Sequence, residues 1–263
     1  MIRSLPHGAV IGMIHVAATP GAPRAELTVR EIIASAVSDA LALIEGGVHA
    51  LMIENMHDRP FLKGHVGPEV IAVMTMVAQA IRAKTELPIG VQMLAAANQE
   101  ALAVALAADL DFVRVEGFVF GHVADEGYID GCAGELLRYR KRIGAEHIKV
   151  FADIKKKHSS HAITADLDVA EIARAAEFFL ADGVIITGVR TGTTADLSEI
   201  AAVKSATNLP VLVGSGVDSS NLRAYLNAAD GVIVGTSIKT ACDWKQCVEV
   251  ARVRELMAAV INS

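Results

Sequence analysis

Short β-rich runs alternate with stretches whose apolar residues recur every three or four positions, and the alternation persists along the chain. Eight strands are predicted, at Val10–Val16, Ala50–Asn55, Pro88–Leu94, Phe112–Gly117, Ile148–Lys155, Gly183–Gly188, Pro210–Gly216 and Gly231–Ser237. Helical spacing occupies intervening segments, among them Thr28–Glu45, Pro68–Thr85, Asn98–Ala108, Asp168–Leu180, Leu197–Thr207 and Lys245–Val260. A similar punctuation precedes several strands: Gly46-Gly47-Val48-His49-Ala50, Ala108-Asp109-Leu110-Asp111-Phe112-Val113, Ala181-Asp182-Gly183-Val184 and Ala229-Asp230-Gly231-Val232. Each reads as a helix stop followed by a buried parallel strand. Eight units of about 30 residues fit a (β/α)8 TIM barrel, α/β in class, as a single domain over residues 1–263. An open doubly wound sheet is the competitor. It fits less well, because the units are even and no early Gly-x-Gly-x-x-Gly turn appears.

Strand alternation then separates inward from outward side chains. With Val113 and Val115 outward, Arg114 and Glu116 point in; with Ile89, Val91 and Met93 outward, Gln92 points in. Glu54 follows Met52, and His15 follows Ile11 and Met13. On the fifth strand Val150, Ala152 and Ile154 face out, so Asp153 and Lys155 are expected to share the inner face. That parity sets Lys155 apart from its neighbours Lys156 and Lys157, which read as a solvated run. Inner layers of such barrels are mostly branched apolar residues, so a ring of ionisable groups at the strand ends is unusual.

The ring permits several chemistries. His15, Glu54, Glu116, Asp153 and Lys155 are candidates for catalysis: a carboxylate beside a lysine exchanges protons, and a desolvated lysine forms a Schiff base. Gln92, Arg114, Asn55 and His158 are candidates for binding substrate; His161 lies on the same loop as His158. No cofactor is established by this reading, although His15, Glu54 and Asp153 also suit a divalent metal and a metal-assisted hydrolase. That alternative is weaker, since strand one has no His-x-His. The turns after strands seven and eight, Gly214-Ser215-Gly216 and Gly235-Thr236-Ser237, have the glycines and hydroxyls of a phosphate cradle. Thr187 and Gly188, then Arg190 and Thr191 to Thr194, are expected to add donors.

Composition narrows the partners. Apolar residues make up 52%, yet no run of about 18 is free of charge and turn signals, so no membrane span is expected. A net charge of −6 argues against a general nucleic-acid binder but leaves a small phosphorylated ligand open. Cys132, Cys242 and Cys247 lack the spacing of a disulfide framework or zinc site and are expected to be mostly buried thiols. The start of the chain has no secretory signal pattern, so a cytoplasmic location is expected, or an organellar matrix if a presequence has been removed. Helical faces rich in Ala and Val suit a homo-oligomer.

Several motifs together resemble the BtpA family (BtpA/SgcQ-like proteins). They are Gly12-Met13-Ile14-His15 with Thr19-Pro20-Gly21-Ala22-Pro23, Glu54-Asn55 with Pro60-Phe61, Asp125 to Gly131, Ala152-Asp153-Ile154-Lys155-Lys156-Lys157-His158, Gly183 to Gly192, and Gly231 to Lys239. The resemblance covers nearly the whole chain. It departs at Ala241-Cys242-Asp243-Trp244, where relatives have a more polar, Gly-containing stretch. The family implies a TIM barrel, a link to photosystem I biogenesis or stability in cyanobacteria, and similarity to phosphate-binding barrel enzymes. Two functions therefore compete. One is an enzyme of isomerase, epimerase, aldolase or lyase type acting on a phosphosugar or nucleotide-derived compound; the other is a non-enzymatic assembly factor with a ligand-binding barrel.

Overall fold

A computed structural model describes residues 4–188 and 194–261. Eight parallel strands close into a barrel: β1 Ala9–His15, β2 Ala50–Glu54, β3 Ile89–Gln92, β4 Phe112–Val115, β5 Lys149–Ile154, β6 Gly183–Thr187, β7 Val211–Gly214 and β8 Gly231–Val234. Closure is made by β1 pairing with β8, from Ala9 opposite Gly231 to Gly12 opposite Val234. Eight helices follow the strands: α1 Val29–Gly46, α2 Pro68–Arg82, α3 Asn98–Ala107, α4 Ala133–Arg142, α5 Val169–Phe178, α6 Leu197–Ala206, α7 Leu222–Ala228 and α8 Val250–Ile261. Among the described residues no helix is long and apolar enough to cross a membrane.

Alternation along the strands builds two cores. Ala9, Ile11, Met13, Met52, Phe112, Phe151, Ile185, Leu212 and Ile233 fill the barrel interior, while their neighbours Val10, Ile14, Leu51, Ile53, Val113 and Val150 pack under the helices. Phe112 and Phe151 meet edge to face at 5.7 Å near the bottom. Small residues make that room: a Cβ on Gly90 would stand 2.2 Å from the Phe112 ring.

The repeated punctuation before the strands has a physical cause. Asp111 accepts the Ile89 N–H at 2.8 Å, Asp182 the Val150 N–H at 3.0 Å, and Asp230 the Val211 N–H at 2.8 Å. His49 Nδ1 does the same for Val10 at 3.0 Å. Each closes the open lower end of the preceding strand, where a buried N–H would otherwise lack a partner. Arg82, Arg140 with Lys149, and Lys204 neutralise the three aspartates. A cavity of about 480 Å³ at this end is lined by the same groups over Phe112, Phe151 and Leu212, so its polar rim is accounted for by strand capping.

The helices α4 and α7 are not among the helical segments read from the sequence: α4 is largely charged and buries only Ala133 and Leu136, and α7 is seven residues long. The loop after β4 makes a hairpin, His122–Ala124 with Gly127–Ile129, and Ser159–Ser160 from the loop after β5 joins it as a third strand. Strands of two and three residues are too short to leave an alternation. The thiol expectation is corrected: Cys132 is half-buried, and Cys242 and Cys247 are exposed on the loop after β8.

Candidate active site at the barrel mouth

Inward parity brings His15, Glu54, Gln92, Arg114, Asp153 and Thr187 to the carboxyl-terminal ends of six strands, with Gly214 and Gly235 completing the circle. The register is direct: His15 lies opposite Glu54, and Glu54 opposite Gln92. Above this ring is a cavity of about 240 Å³. Its inner wall is His15, Glu54, Arg114 and Lys157. Its outer wall is the turn Ser215 to Asp218, the turn Gly235 to Ser237, and Trp244.

The two turns are shaped for a close approach. Ser215 and Gly216 are successively left-handed, at φ 75° and 67°, which folds the chain back directly after β7. Ser237 Oγ donates to Val217 O at 2.7 Å and stitches the second turn to the first. A Cβ on Gly214 would lie 3.9 Å from Arg114 Nη1, and one on Gly235 would lie 3.4 Å from His15 Nε2. Arg114 thus stands beside the first turn and the His15 ring beside the second. Asp218 also lines the cavity, but its Oδ1 accepts from Ser220 and Asn221 and so faces the chain beyond the turn.

Burial governs the charges. Arg114 donates through Nε to both carboxylate oxygens of Asp153, at 3.1 Å each, and both side chains are buried. Burial alone would lower the guanidinium; Asp153 and Glu54 hold it above its ordinary range instead. Burial raises the Glu54 carboxyl, against the pull of Arg114 and Lys157. Lys157 is depressed by burial and by Arg114 alongside, while Glu54 and Asp153 resist. His15 is pushed down to about 3 by burial and by Lys239. The inner wall thus offers a fixed cation, a carboxyl poised to hold its proton, an amine inclined to lose one, and a neutral imidazole.

Lys155 does not take the place parity assigns. β5 ends at Ile154 and Lys155 turns left-handed, at φ 51°, which breaks the alternation. Lys155 lines a separate cavity of about 20 Å³ with His122 and His161. Lys157, two residues later, reaches the mouth instead. Lys156 bridges Glu116 at 3.2 Å and Glu126 at 3.5 Å, so it belongs to neither a solvated run nor the mouth.

Other candidates also move. Asn55 is fully buried and its amide is spent on Leu94 N, Leu94 O and Asp58. Its role is to tie the loop after β2 to the end of β3, and a substrate does not reach it. Glu116 accepts from Gln92 Nε2 at 3.2 Å and from Ala96 N at 3.1 Å and faces a side pocket rather than the mouth. Gln92 keeps a buried Oε1 without a partner, as Thr187 does its Oγ1, both on inward strand ends. His158 is exposed, away from the cavity lining. Asp153 backs Arg114 and does not line the mouth. Among the described residues no group of three or more His, Cys, Asp and Glu is placed to hold a metal ion. Arg190 to Thr193 lie outside the described residues, and Gly188 is the last one described before them.

Sequence reasoning missed Trp244. It stands in the loop after β8, under the Arg59 guanidinium at 4.5 Å and beside His57 at 5.0 Å. Its carbonyl meets His15 Nδ1 at 3.0 Å. The one signal available was the departure from the family pattern at Ala241 to Trp244.

A closed eight-stranded barrel with a charged carboxyl-terminal mouth defines a TIM-barrel protein. Residues 6–262 match the BtpA family, and the chain belongs to that family. It is 44% identical over 256 residues to an uncharacterised mitochondrial protein of Caenorhabditis elegans, covering 95% of this chain and 92% of that one. It is 33% identical to the photosystem I biogenesis protein BtpA of Synechocystis, covering 97% and 88%. Among solved structures, phosphoribosyl anthranilate isomerase from Thermus thermophilus superposes with a TM-score of 0.59 at 13% identity, over 97% of this chain and 98% of that one. At that identity the likeness is one of fold.

Proposed function

We propose that the protein is an enzyme acting on a small phosphorylated metabolite bound at the barrel mouth. One observation carries the reading: the two glycine–hydroxyl turns face the same 240 Å³ cavity as Glu54, Arg114 and Lys157. Backbone N–H groups of Ser215 to Val217 and Gly235 to Ser237 would hold the phosphate, with Arg114 Nη1 beside Gly214 as the counter-charge. Asp153 orients Arg114 and keeps it ionised. Glu54, its carboxyl raised by burial, is suited to give and take a proton. Lys157, in place of Lys155, is the amine suited to polarise a carbonyl or form a Schiff base with it. Isomerase, epimerase, aldolase and lyase chemistry all fit these groups. The similarity to a barrel named for a phosphoribosyl compound supports the reading.

The test is borohydride trapping with a panel of phosphorylated aldehydes and ketones, followed by peptide mass analysis. An adduct on Lys157 supports the amine role. Binding and turnover of a phosphorylated compound without an adduct would confine the chemistry to acid–base steps. A mouth that binds no phosphorylated compound would remove the proposal.

A further inference from the structure

The loop after β8 decides what His15 can do in such a site. Residues 239–248 form a strap closed at its base by pairing of Lys239 with Val248. Lys239 Nζ lies 3.1 Å from Asp39 Oδ2, and the Val248 N–H donates to Asp39 Oδ1 at 2.8 Å. Lys239 and Asp39 are both buried, so α1 pins the strap from below. On the strap, the Trp244 carbonyl meets His15 Nδ1 at 3.0 Å. A carbonyl oxygen only accepts, so Nδ1 carries the ring proton and Nε2 keeps a bare lone pair.

That lone pair faces the cavity next to the phosphate turn at Gly235. Glu54 Oε2, at 3.7 Å, is too far to satisfy it. A second proton is disfavoured by burial and by Lys239, His57 and Lys157 around the ring. A histidine in a phosphate pocket would ordinarily be expected to lend positive charge. This one is held as an acceptor.

Building on the phosphate reading above, we infer that His15 Nε2 recognises a hydroxyl group of the ligand close to its phosphate, so that the site takes phosphorylated sugars and polyols in preference to phosphate esters without hydroxyls. The strap makes Trp244, Lys239 and Asp39 positioning residues for that contact. A ligand that supplies the donor gains on the order of tenfold in affinity over one that does not.

Trp244 is the chain's one tryptophan and walls the cavity, so its fluorescence reports binding. Inorganic phosphate, glycerol 3-phosphate and n-propyl phosphate are the probes. The expected result is that glycerol 3-phosphate binds roughly tenfold more tightly than propyl phosphate. In His15→Phe that difference disappears. Equal affinity of the two esters in the native protein overturns the hydroxyl assignment and leaves the phosphate site standing. Failure of all three to bind counts against the phosphate site itself and so against the assignment. Should His15→Phe not fold, ¹⁵N NMR of the native protein decides: a neutral ring protonated on Nδ1 supports the inference, and one protonated on Nε2 overturns it.

Discussion

Replacing Lys239 by Met isolates the strap's anchor. Lys239 is fully buried, its ammonium 3.1 Å from Asp39, and the pair is remote from bulk water. Met fills nearly the same volume but leaves Asp39 buried with one hydrogen bond, from Val248. Breaking a buried pair in this way costs about 3–5 kcal/mol, because one charge stays behind uncompensated. For a chain of this size that corresponds to a fall in Tm of roughly 6–20 °C. Adding Asp39→Leu removes the stranded charge, and the double variant should recover part of the loss; full recovery is opposed because Val248 N then loses its acceptor, at about 1–3 kcal/mol. Urea unfolding followed by circular dichroism measures the three stabilities, with Trp244 fluorescence reporting the strap separately. A Lys239→Met protein within about 1 kcal/mol of the native one, its Trp244 emission unchanged, would refute the reasoning that the pair pins the strap.

Other expected outcomes follow from the same geometry. His15 falls from an ordinary 6.5 to about 3 in the folded chain, so the unfolded chain binds the extra proton between those values and stability drops as pH falls from 6.5 to 3. The full effect is on the order of 5 kcal/mol, and His15→Phe should flatten the pH dependence of urea midpoints in that window. Asp153→Asn should weaken phosphate binding about tenfold or more by loosening Arg114, whereas Lys155→Ala should leave it unchanged; calorimetric titration with inorganic phosphate separates the two. Gly214→Ala places a Cβ at 3.3 Å from Ile185 and 3.9 Å from Arg114 Nη1, so it should fold with a loss of about 1 kcal/mol while binding phosphate less well. Asp230→Ala exposes the opposite end of the barrel: it should cost about 1–3 kcal/mol in unfolding titrations by stranding the Val211 N–H, with phosphate affinity untouched.

Alternation made much of the barrel readable. Phe112 and Arg114 share a face in the sequence and point inward in the structure, as do Met13 with His15 and Met52 with Glu54, whereas Glu116, just past the end of β4, turns to a side pocket. The signal fails where the strand fails. Lys155 follows Asp153 by two residues, but the chain leaves the extended conformation between them, and no periodicity records a left-handed turn. Asn55 is spent on hydrogen bonds to Leu94 and Asp58, which join segments 39 and 3 residues away, and the first of these depends on β2 lying beside β3. The contact of Trp244 with His15 spans 229 residues and exists only because β8 closes against β1. The pre-strand aspartates were visible as a repeated pattern, while their purpose as caps for the preceding strand required the fold.

The central claim is that the two turns and the inner wall form one anion-binding site. A crystal structure of the protein with glycerol 3-phosphate tests it most directly. The expected density places the phosphate between the Ser215–Val217 and Gly235–Ser237 turns, within hydrogen-bonding distance of Arg114, with a ligand hydroxyl on His15 Nε2. A phosphate bound elsewhere on the barrel while this cavity holds only solvent would contradict the account.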